Sequence, residues 1–174
     1  PEELHDMRVA TRRLRSALRL FAHHLTGTHV TASVEGLRRL ARLLGQVRDL
    51  DVAMLKARRY LQGLPPDQQG SLDPLFRLWQ RQRQSARRRM IGFLNSKAYP
   101  RLADEFHAML ADLAVFSEPS ARPAREDAPR FISLYWQIVR AYGAVLEGAP
   151  IEVLHALRID SKRLRYALEF FREI

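Results

Sequence analysis

The spacing of apolar residues constrains the fold of this chain more than any other feature. Apolar side chains recur three and four positions apart throughout the sequence, and no segment sustains the alternation at every second position that strands show. Glycine and proline gather in a few short segments between the periodic stretches. The sequence therefore predicts an all-α protein, made of helices joined by short loops.

The breaks between the periodic stretches predict six helices. They are residues 2–24, 31–61, about 71–95, 100–116, 130–146 and 151–174. The first four suit an antiparallel four-helix bundle, 1–116, and the proline-rich segment 117–129 is predicted to be a linker. Residues 130–174 would then supply two helices of a second bundle. Two helices cannot make a closed bundle by themselves. We expect a fragment of a longer protein, with pairing to a second copy as the alternative.

The charge balance indicates an anionic partner. Lys and Arg number 29 against 19 Asp and Glu, which gives a formal charge of +10. Self-repulsion of this size favours an anion that offsets it, and solubility alone is the simpler alternative. There is no cysteine, and no stretch approaches the roughly 20 apolar residues of a membrane span. We expect a soluble, cytoplasmic protein without disulfides or thiolate metal sites.

A helical segment near the start of the chain is repeated near its end. The segment Leu4–Arg15 returns as Leu154–Arg165, and the likeness continues to Phe21 and Phe171. Polar and apolar positions are both reproduced, so we infer that a whole helix was duplicated. The apolar positions of the two copies are predicted to pack in the core. They include Leu14, Leu154 and Leu168, and we add Trp79, Phe131, Tyr135 and Trp136 from other helices.

Each copy of the repeat places its basic residues on one stripe of the helix. The stripes are His5, Arg8, Arg12, Arg15 and Arg19 in the first copy, and His155, Arg158, Lys162 and Arg165, with Tyr166 at the edge, in the second. Like charges at these spacings cost a few tenths of a kcal/mol per pair, and solvated faces normally mix signs. The repeated stripe predicts an anion-binding site, with an ordinary solvated face as the alternative.

The preference for arginine indicates the kind of anion. A guanidinium is always charged and offers a planar fork that fits two phosphate oxygens. On a helix the fork repeats about every 5.4 Å, so the stripe forms a ladder for a linear polyphosphate. Inorganic polyphosphate is therefore the predicted partner.

Two further helices add basic residues to the predicted binding set. They are Arg38, Arg39, Arg42 and Arg48 in the second helix, and Arg81 and Arg88, in phase with Arg77, in the third. For the third helix a solvated face is an equal alternative. Gly45 predicts close approach of a neighbouring helix or ligand, because glycine inside a helix costs about 1 kcal/mol relative to alanine. Asp49 and Asp51 are predicted to orient arginines by ion pairs rather than to hold Mg²⁺.

The sequence shows no arrangement that predicts catalysis. There is no Gly-rich phosphate loop and no His-Glu-x-x-His segment, and the six histidines have no metal-ligand spacing. No acidic residue lies at a spacing that would activate His5 or His155 as a nucleophile. We expect a non-enzymatic binding module without a cofactor or a metal ion.

Three motifs together resemble the CHAD family, the conserved histidine α-helical domain. They are His5–Arg15, the string Leu44–Val52, and Leu154–Tyr166. The resemblance implies two helical bundles with a basic surface and a central pore, polyphosphate as ligand, and no enzymatic activity. The positions that match the family's basic motifs are His5, Arg8, Arg12, Arg13, Arg15, Arg39, Arg48, His155, Arg158, Lys162, Arg163, Arg165 and Tyr166. A full member would continue with two further helices after Ile174.

The resemblance also implies a cellular setting, because members of the family often accompany a triphosphate tunnel domain or a polyphosphate granule. The alternative function is sequence-independent nucleic-acid binding, because any arginine-lined face releases counterions from a phosphate backbone. Single-strand binders interleave aromatic residues with their cations, whereas the aromatic residues here fall mainly in the apolar phase. Nucleic acid is therefore the second choice, with duplex binding left open.

Overall fold

The computed structural model describes residues 2–22, 25, 27–116 and 123–172. Six α-helices account for most of these residues: α1 (Glu2–Leu20), α2 (Thr28–Gln62), α3 (Asp73–Leu94), α4 (Ala98–Phe116), α5 (Ala128–Ala141) and α6 (Ile151–Phe171). Short 3₁₀ turns span Pro66–Gln68, Ala124–Asp127 and Tyr142–Val145. The described part of the chain contains no strand, so the all-α prediction is confirmed. The four-helix-bundle arrangement stays a prediction.

Helices α4 and α5 each begin two residues before the predicted position. Helix α5 begins at Ala128 rather than Arg130, because Pro129 lies in its first turn, where its missing N–H costs nothing. Helix α4 likewise begins before Pro100, and the Ala98 N–H donates to Ser96 Oγ at 3.2 Å. The 3₁₀ turn at Tyr142–Val145 replaces the predicted end of the fifth helix.

The ends of the first and sixth helices are shorter than predicted over the described residues. Helix α1 ends at Leu20, and the predicted last turn includes His23 and His24, which lie outside the described residues. Helix α6 ends at Phe171, and residues 173–174 also lie outside them. Of the predicted linker 117–129, only residues 123–129 are described, and they form a 3₁₀ turn and the start of α5.

The chain divides into two compact units, and the division falls within α1. Unit 1 holds Pro1–Arg12 and Gly27–Ala111, and unit 2 holds Arg13–Thr26 and Asp112–Ile174. The predicted division assigned all of the first helix to the first bundle. The second half of α1 belongs to unit 2 because Leu20 and Phe21 pack in that unit's core.

The core of unit 1 draws on all four of its helices. Leu40 and Leu44 of α2 and Phe93 of α3 are buried at its centre. Leu4 and Met7 of α1, and Tyr99 and Leu102 of α4, pack against them. Burying a leucine or phenylalanine side chain is worth about 1.5–3 kcal/mol, so this cluster holds the first half of α1 against α2.

Unit 2 is built around a cluster of aromatic rings. Leu20, Phe131 and Ala167 are buried, and the ring of Phe21 meets those of Phe131 and Phe170 edge-on, both at 5.8 Å between centroids. Such pairs add about 0.5–1.5 kcal/mol each beyond their area burial. The predicted core positions Phe131 and Tyr135 both belong to this cluster.

Several predicted core residues of unit 2 are exposed instead. Trp136 is 52% exposed, and Leu14, Leu154 and Leu168 are also exposed, so the core prediction is wrong for these four. The core of this unit is centred on Ala167, and Leu168, the next residue, lies roughly 100° further around the helix. Apolar periodicity therefore identified these residues as an apolar face but did not identify which residues pack on that face.

No helix in the described residues is long and apolar enough to cross a membrane.

Candidate functional site

The first half of α1 and the middle of α2 enclose a cleft in unit 1. It has a volume of about 460 Å³. It is lined by His5, Arg8, Val9 and Arg12 of α1 and by Arg48, Asp49, Val52, Ala53 and Lys56 of α2. The basic residues of α1 share one phase of the helix, because they recur at three and four positions, and this phase borders α2. The packing of Leu4 and Met7 in the core holds that face in place.

The cleft is strongly electropositive. Its lining holds three arginines, one lysine and one histidine against a single carboxylate, that of Asp49. Arg8, Arg12 and Arg48 are half-buried, whereas His5 and Lys56 are exposed. Charges that are partly withdrawn from water are screened less by solvent and salt, so the half-buried guanidinium groups would attract an anion most strongly.

Arg8 pairs with a carboxylate of α2, and a glycine of α2 lets its guanidinium approach that helix closely. Its Nη2 lies 3.7 Å from Asp49 Oδ1, and the Asp49 side chain is 79% exposed. A Cβ atom at Gly45 would lie 3.3 Å from Arg8 Nη1, which is closer than ordinary van der Waals contact. Glycine at this position therefore makes room for the guanidinium, and the prediction that Gly45 admits a close neighbour is confirmed.

The carboxylates of the second motif are engaged with arginines. Asp49 pairs with Arg8, and Asp51 accepts a hydrogen bond from Nε of Arg83 in α3. These contacts confirm the prediction that both residues orient arginines. Both pairs fix the direction of a guanidinium group, that of Arg8 toward Asp49 and that of Arg83 toward Asp51.

The other predicted residues of α2 and α3 lie outside the cleft. Arg38 and Arg42 are exposed on α2, and Arg81 and Arg88 are exposed on α3. The guanidinium of Arg39 lies 5.0 Å from the centre of the Phe93 ring, a cation–π contact that ties it to the core of unit 1. Of the predicted residues of α2, only Arg48 lines the cleft.

In unit 2 the second copy of the motif lies on α6. His155, Arg158 and Lys162 are exposed, and they have no ion pair or hydrogen bond within the described residues. Arg165 is engaged locally: its Nε is 3.5 Å from Glu169 Oε1, and its guanidinium lies 4.9 Å from the centre of the Tyr166 ring.

Arg163 belongs to a small polar cluster centred on the buried Asp160. Its Nη1 donates to Asp160 Oδ1 at 2.7 Å, and the Tyr142 hydroxyl donates to Asp160 Oδ2 at 2.7 Å. The hydrogen bond to Asp160 raises the pKa of Tyr142 above its usual value of 10.0, and burial adds to the shift. A buried carboxylate needs such partners, so this cluster accounts for Arg163 without a ligand.

The remaining predicted residues of α1 that belong to unit 2 are Arg13, Arg15 and Arg19. Arg19, Arg163 and Tyr166 line a crevice with a volume of about 10 Å³. A space of this size holds one water molecule at most, so this crevice has no room for a phosphate group. Arg13 is exposed and Arg15 is half-buried.

Sequence reasoning missed Lys56 and the apolar floor formed by Val9, Val52 and Ala53. A signal for Lys56 was present, because Arg42, Asp49 and Lys56 follow one another at intervals of seven residues, which places them on one face of α2. The apolar floor had no such signal, since its residues carry the same periodicity as the core.

Comparison with known proteins places the chain in a family. The CHAD domain model matches residues 1–174. Two curated relatives from Mycobacterium tuberculosis, MT2285 of strain CDC 1551 and Rv2226 of strain H37Rv, are each described as an uncharacterized protein. Each is 31% identical over 175 residues, which cover 95% of this chain and 33% of the relative. The chain thus spans about a third of the length of the curated relatives it matches.

Proposed function

Since the chain belongs to the CHAD domain family, we propose that it is a non-catalytic module that binds inorganic polyphosphate in the unit 1 cleft. The observation that carries this proposal is the lining of the cleft, in which five basic side chains face one carboxylate. Family membership supports the choice of ligand, and the cleft supports the place.

The geometry of the cleft suits a linear phosphate polymer. Arg8 and Arg12 are one helical turn apart on α1, which is about 5.4 Å along the axis. Arg48 and Lys56 of α2 face them from the other wall, eight residues or roughly 12 Å apart. A chain that lies between the two helices would meet cations from both sides, and each guanidinium offers a fork for two phosphate oxygens.

The proposal of binding without catalysis rests on the chemistry of the lining. None of the nine residues is a serine, threonine or cysteine that could act as a nucleophile. The single carboxylate, Asp49, is paired with Arg8, so it is already engaged in an ion pair.

The proposal also sets an expectation for cellular context. A polyphosphate-binding module would be a soluble, cytoplasmic protein that associates with polyphosphate granules or acts beside a triphosphate tunnel domain, as the family resemblance implies. Nucleic acid is the competing ligand in the cleft, because phosphate is common to both polymers.

The test is a titration of the protein with long-chain polyphosphate, heparin and single-stranded RNA at about 150 mM salt, where weak surface electrostatics are screened. We expect polyphosphate to bind most tightly. The variant Arg8→Gln/Arg12→Gln/Arg48→Gln should lose about 100-fold or more in polyphosphate affinity, because a hydrogen bond to a charged group is worth about 1.5–3 kcal/mol.

A matched variant controls for net charge in this test. Arg125, Arg130 and Arg140 are exposed and lie in unit 2, outside the cleft. Their replacement by glutamine removes the same charge and should change polyphosphate affinity less than about fivefold. Equal losses in the two triple variants, or equal affinity for all three polymers, would refute the assignment of the site.

A further inference from the structure

Helix α3 carries a high concentration of positive charge. After Asp73 it has six arginines and no acidic residue. Like charges three and four positions apart on a helix repel one another and destabilise it. The helix is retained in spite of this repulsion, so we asked which of its arginines the fold itself uses.

The arginines that border α2 have partners within unit 1. Arg83 pairs with Asp51, and Arg89 donates to Ser85 Oγ at 2.9 Å and to Gln46 Oε1 at 3.3 Å. These two residues therefore contribute to the packing of α3 on α2. Their presence has a structural explanation that needs no ligand.

Three other arginines form what we call the α3 row: Arg77, Arg81 and Arg88. They share one phase of the helix, on the side opposite the buried Ala86 and Phe93. All three are exposed, and within the described part of the chain none has an ion pair or a hydrogen bond. Arg77 and Arg88, at the two ends of the row, are eleven positions apart, or roughly 16 Å along the helix axis.

The α3 row is separate from the site of the proposed function. None of its arginines lines the unit 1 cleft. Gln80 and Gln84 add amide donors beside the row, and the one acidic residue of α3, Asp73, lies one turn before Arg77. An anion bound in the cleft therefore does not contact the α3 row or neutralise its charge.

We propose that the α3 row binds the phosphate backbone of duplex nucleic acid. The row is a convex surface, because it lies on the outward side of a helix. A thin, flexible polyphosphate would contact such a surface from one side only and would lose conformational freedom for few contacts. A duplex is already rigid and carries one charge per about 1.7 Å of its axis, so it can meet several arginines at once.

The dimensions of the helix agree with this ligand. The α3 row is roughly 16 Å long, and one strand of a duplex carries a phosphate about every 3.4 Å along the axis, so the row can meet several phosphates of one strand. Arginine and glutamine are both used for contacts of this kind. Binding through phosphates carries no sequence information, so we expect a sequence-independent interaction.

The experiment compares the variant Arg77→Gln/Arg81→Gln/Arg88→Gln with the wild type, by fluorescence anisotropy of a short duplex DNA between about 50 and 200 mM salt. We expect at least a tenfold loss of affinity near 100 mM salt. The slope of log affinity against log salt should become shallower by about 2.7, because each lost phosphate contact removes about 0.9. Polyphosphate affinity, measured in parallel, should change less than about twofold.

Two control variants make the outcome decisive. The variant with Arg125, Arg130 and Arg140 replaced by glutamine should keep duplex affinity, and the cleft variant should lose polyphosphate affinity while keeping most duplex affinity. The proposal is overturned if the wild type fails to bind duplex DNA at about 50 mM salt, or if the row variant binds it as the wild type does. It is also overturned if the row variant loses as much affinity for polyphosphate as for DNA. That result would assign Arg81 and Arg88 to the polyphosphate site instead. Circular dichroism of each variant checks that helix content is preserved.

Discussion

The two copies of the repeated motif have nearly the same sequence and very different surroundings. In α1, His5, Arg8 and Arg12 line a cleft of about 460 Å³ whose second wall is α2. In α6, the equivalent His155, Arg158 and Lys162 are exposed. The first copy of the basic stripe thus lines a cleft with α2, whereas the corresponding residues of the second copy are exposed.

The facing helix contributes features that the motif itself does not contain. Gly45 leaves room for the guanidinium of Arg8, and Arg48 and Lys56 add charge to the opposite wall. Arg8 and Arg12 are half-buried as a result, whereas Arg158 and Lys162 are exposed. Partial burial lowers the effective dielectric around a charge, so the same residue types should bind an anion more strongly in α1.

The largest effect on polyphosphate affinity is expected when equivalent residues of the two copies are replaced and the two variants are compared. The pair Arg8→Gln/Arg12→Gln should lower polyphosphate affinity about 50-fold or more, because both groups are half-buried. The equivalent pair Arg158→Gln/Lys162→Gln should lower it less than about tenfold, because exposed charges contribute about 0–1 kcal/mol each. Isothermal titration calorimetry of the two variants provides the measurement. Equal losses would mean that the facing helix is unimportant.

A smaller effect should follow from filling the space beside Arg8. In Gly45→Ala the new Cβ would lie 3.3 Å from Arg8 Nη1, so the guanidinium must move and affinity should fall severalfold. Stability should rise by up to about 1 kcal/mol, because alanine is the better helix former. Gly92→Ala is the matched control, since nothing lies within 4 Å of a Cβ there. It should gain stability without losing affinity, and a similar loss of affinity in both variants would contradict the role given to Gly45.

The smallest expected effect concerns the polar cluster that distinguishes the second copy. Asp160 stands where the first copy has Ala10, and it accepts the hydroxyl hydrogen bond of Tyr142. The raised pKa of Tyr142 means that the neutral phenol stabilises the fold at pH values below 10.0, and that this contribution is lost as the pH rises through the raised pKa. Tyr142→Phe should therefore be less stable than the wild type at neutral pH.

Urea denaturation at several pH values measures this effect. The difference in midpoint between wild type and Tyr142→Phe should be largest near neutral pH and should shrink above pH 10.0, where the phenol loses its proton beside a carboxylate. A difference that stays constant across this range would show that the hydrogen bond to Asp160 is not the source of the stability change.

Much of the fold was predictable from local sequence patterns. The six helices follow from apolar spacing, and the largest error in their ends is at the end of α5, where a 3₁₀ turn replaces the last predicted residues. The exposure of Trp136 was not predictable, because periodicity identifies an apolar face without identifying its neighbour.

The candidate site was predicted in part for the same reason. His5, Arg8, Arg12 and Arg48 were identified from helix phase and from motif resemblance, and all four line the cleft. Arg39 and Arg163 were identified in the same way, but neither lines the cleft. The guanidinium of Arg39 stacks on Phe93, and that of Arg163 pairs with Asp160. The contact of Arg39 with Phe93 joins distant parts of the chain, whereas Arg163 and Asp160 lie within one turn of α6.

The sequence by itself determined the helices, the duplicated basic stripe and the excess of positive charge, because each depends on residues within a few turns of one another. The tertiary structure decided that the first copy of the stripe lines a cleft with α2, which arginines the fold uses for its own packing, and which remain exposed on α3. These depend on the approach of helices that are far apart in sequence, and local periodicity is the same whether or not a neighbour is present.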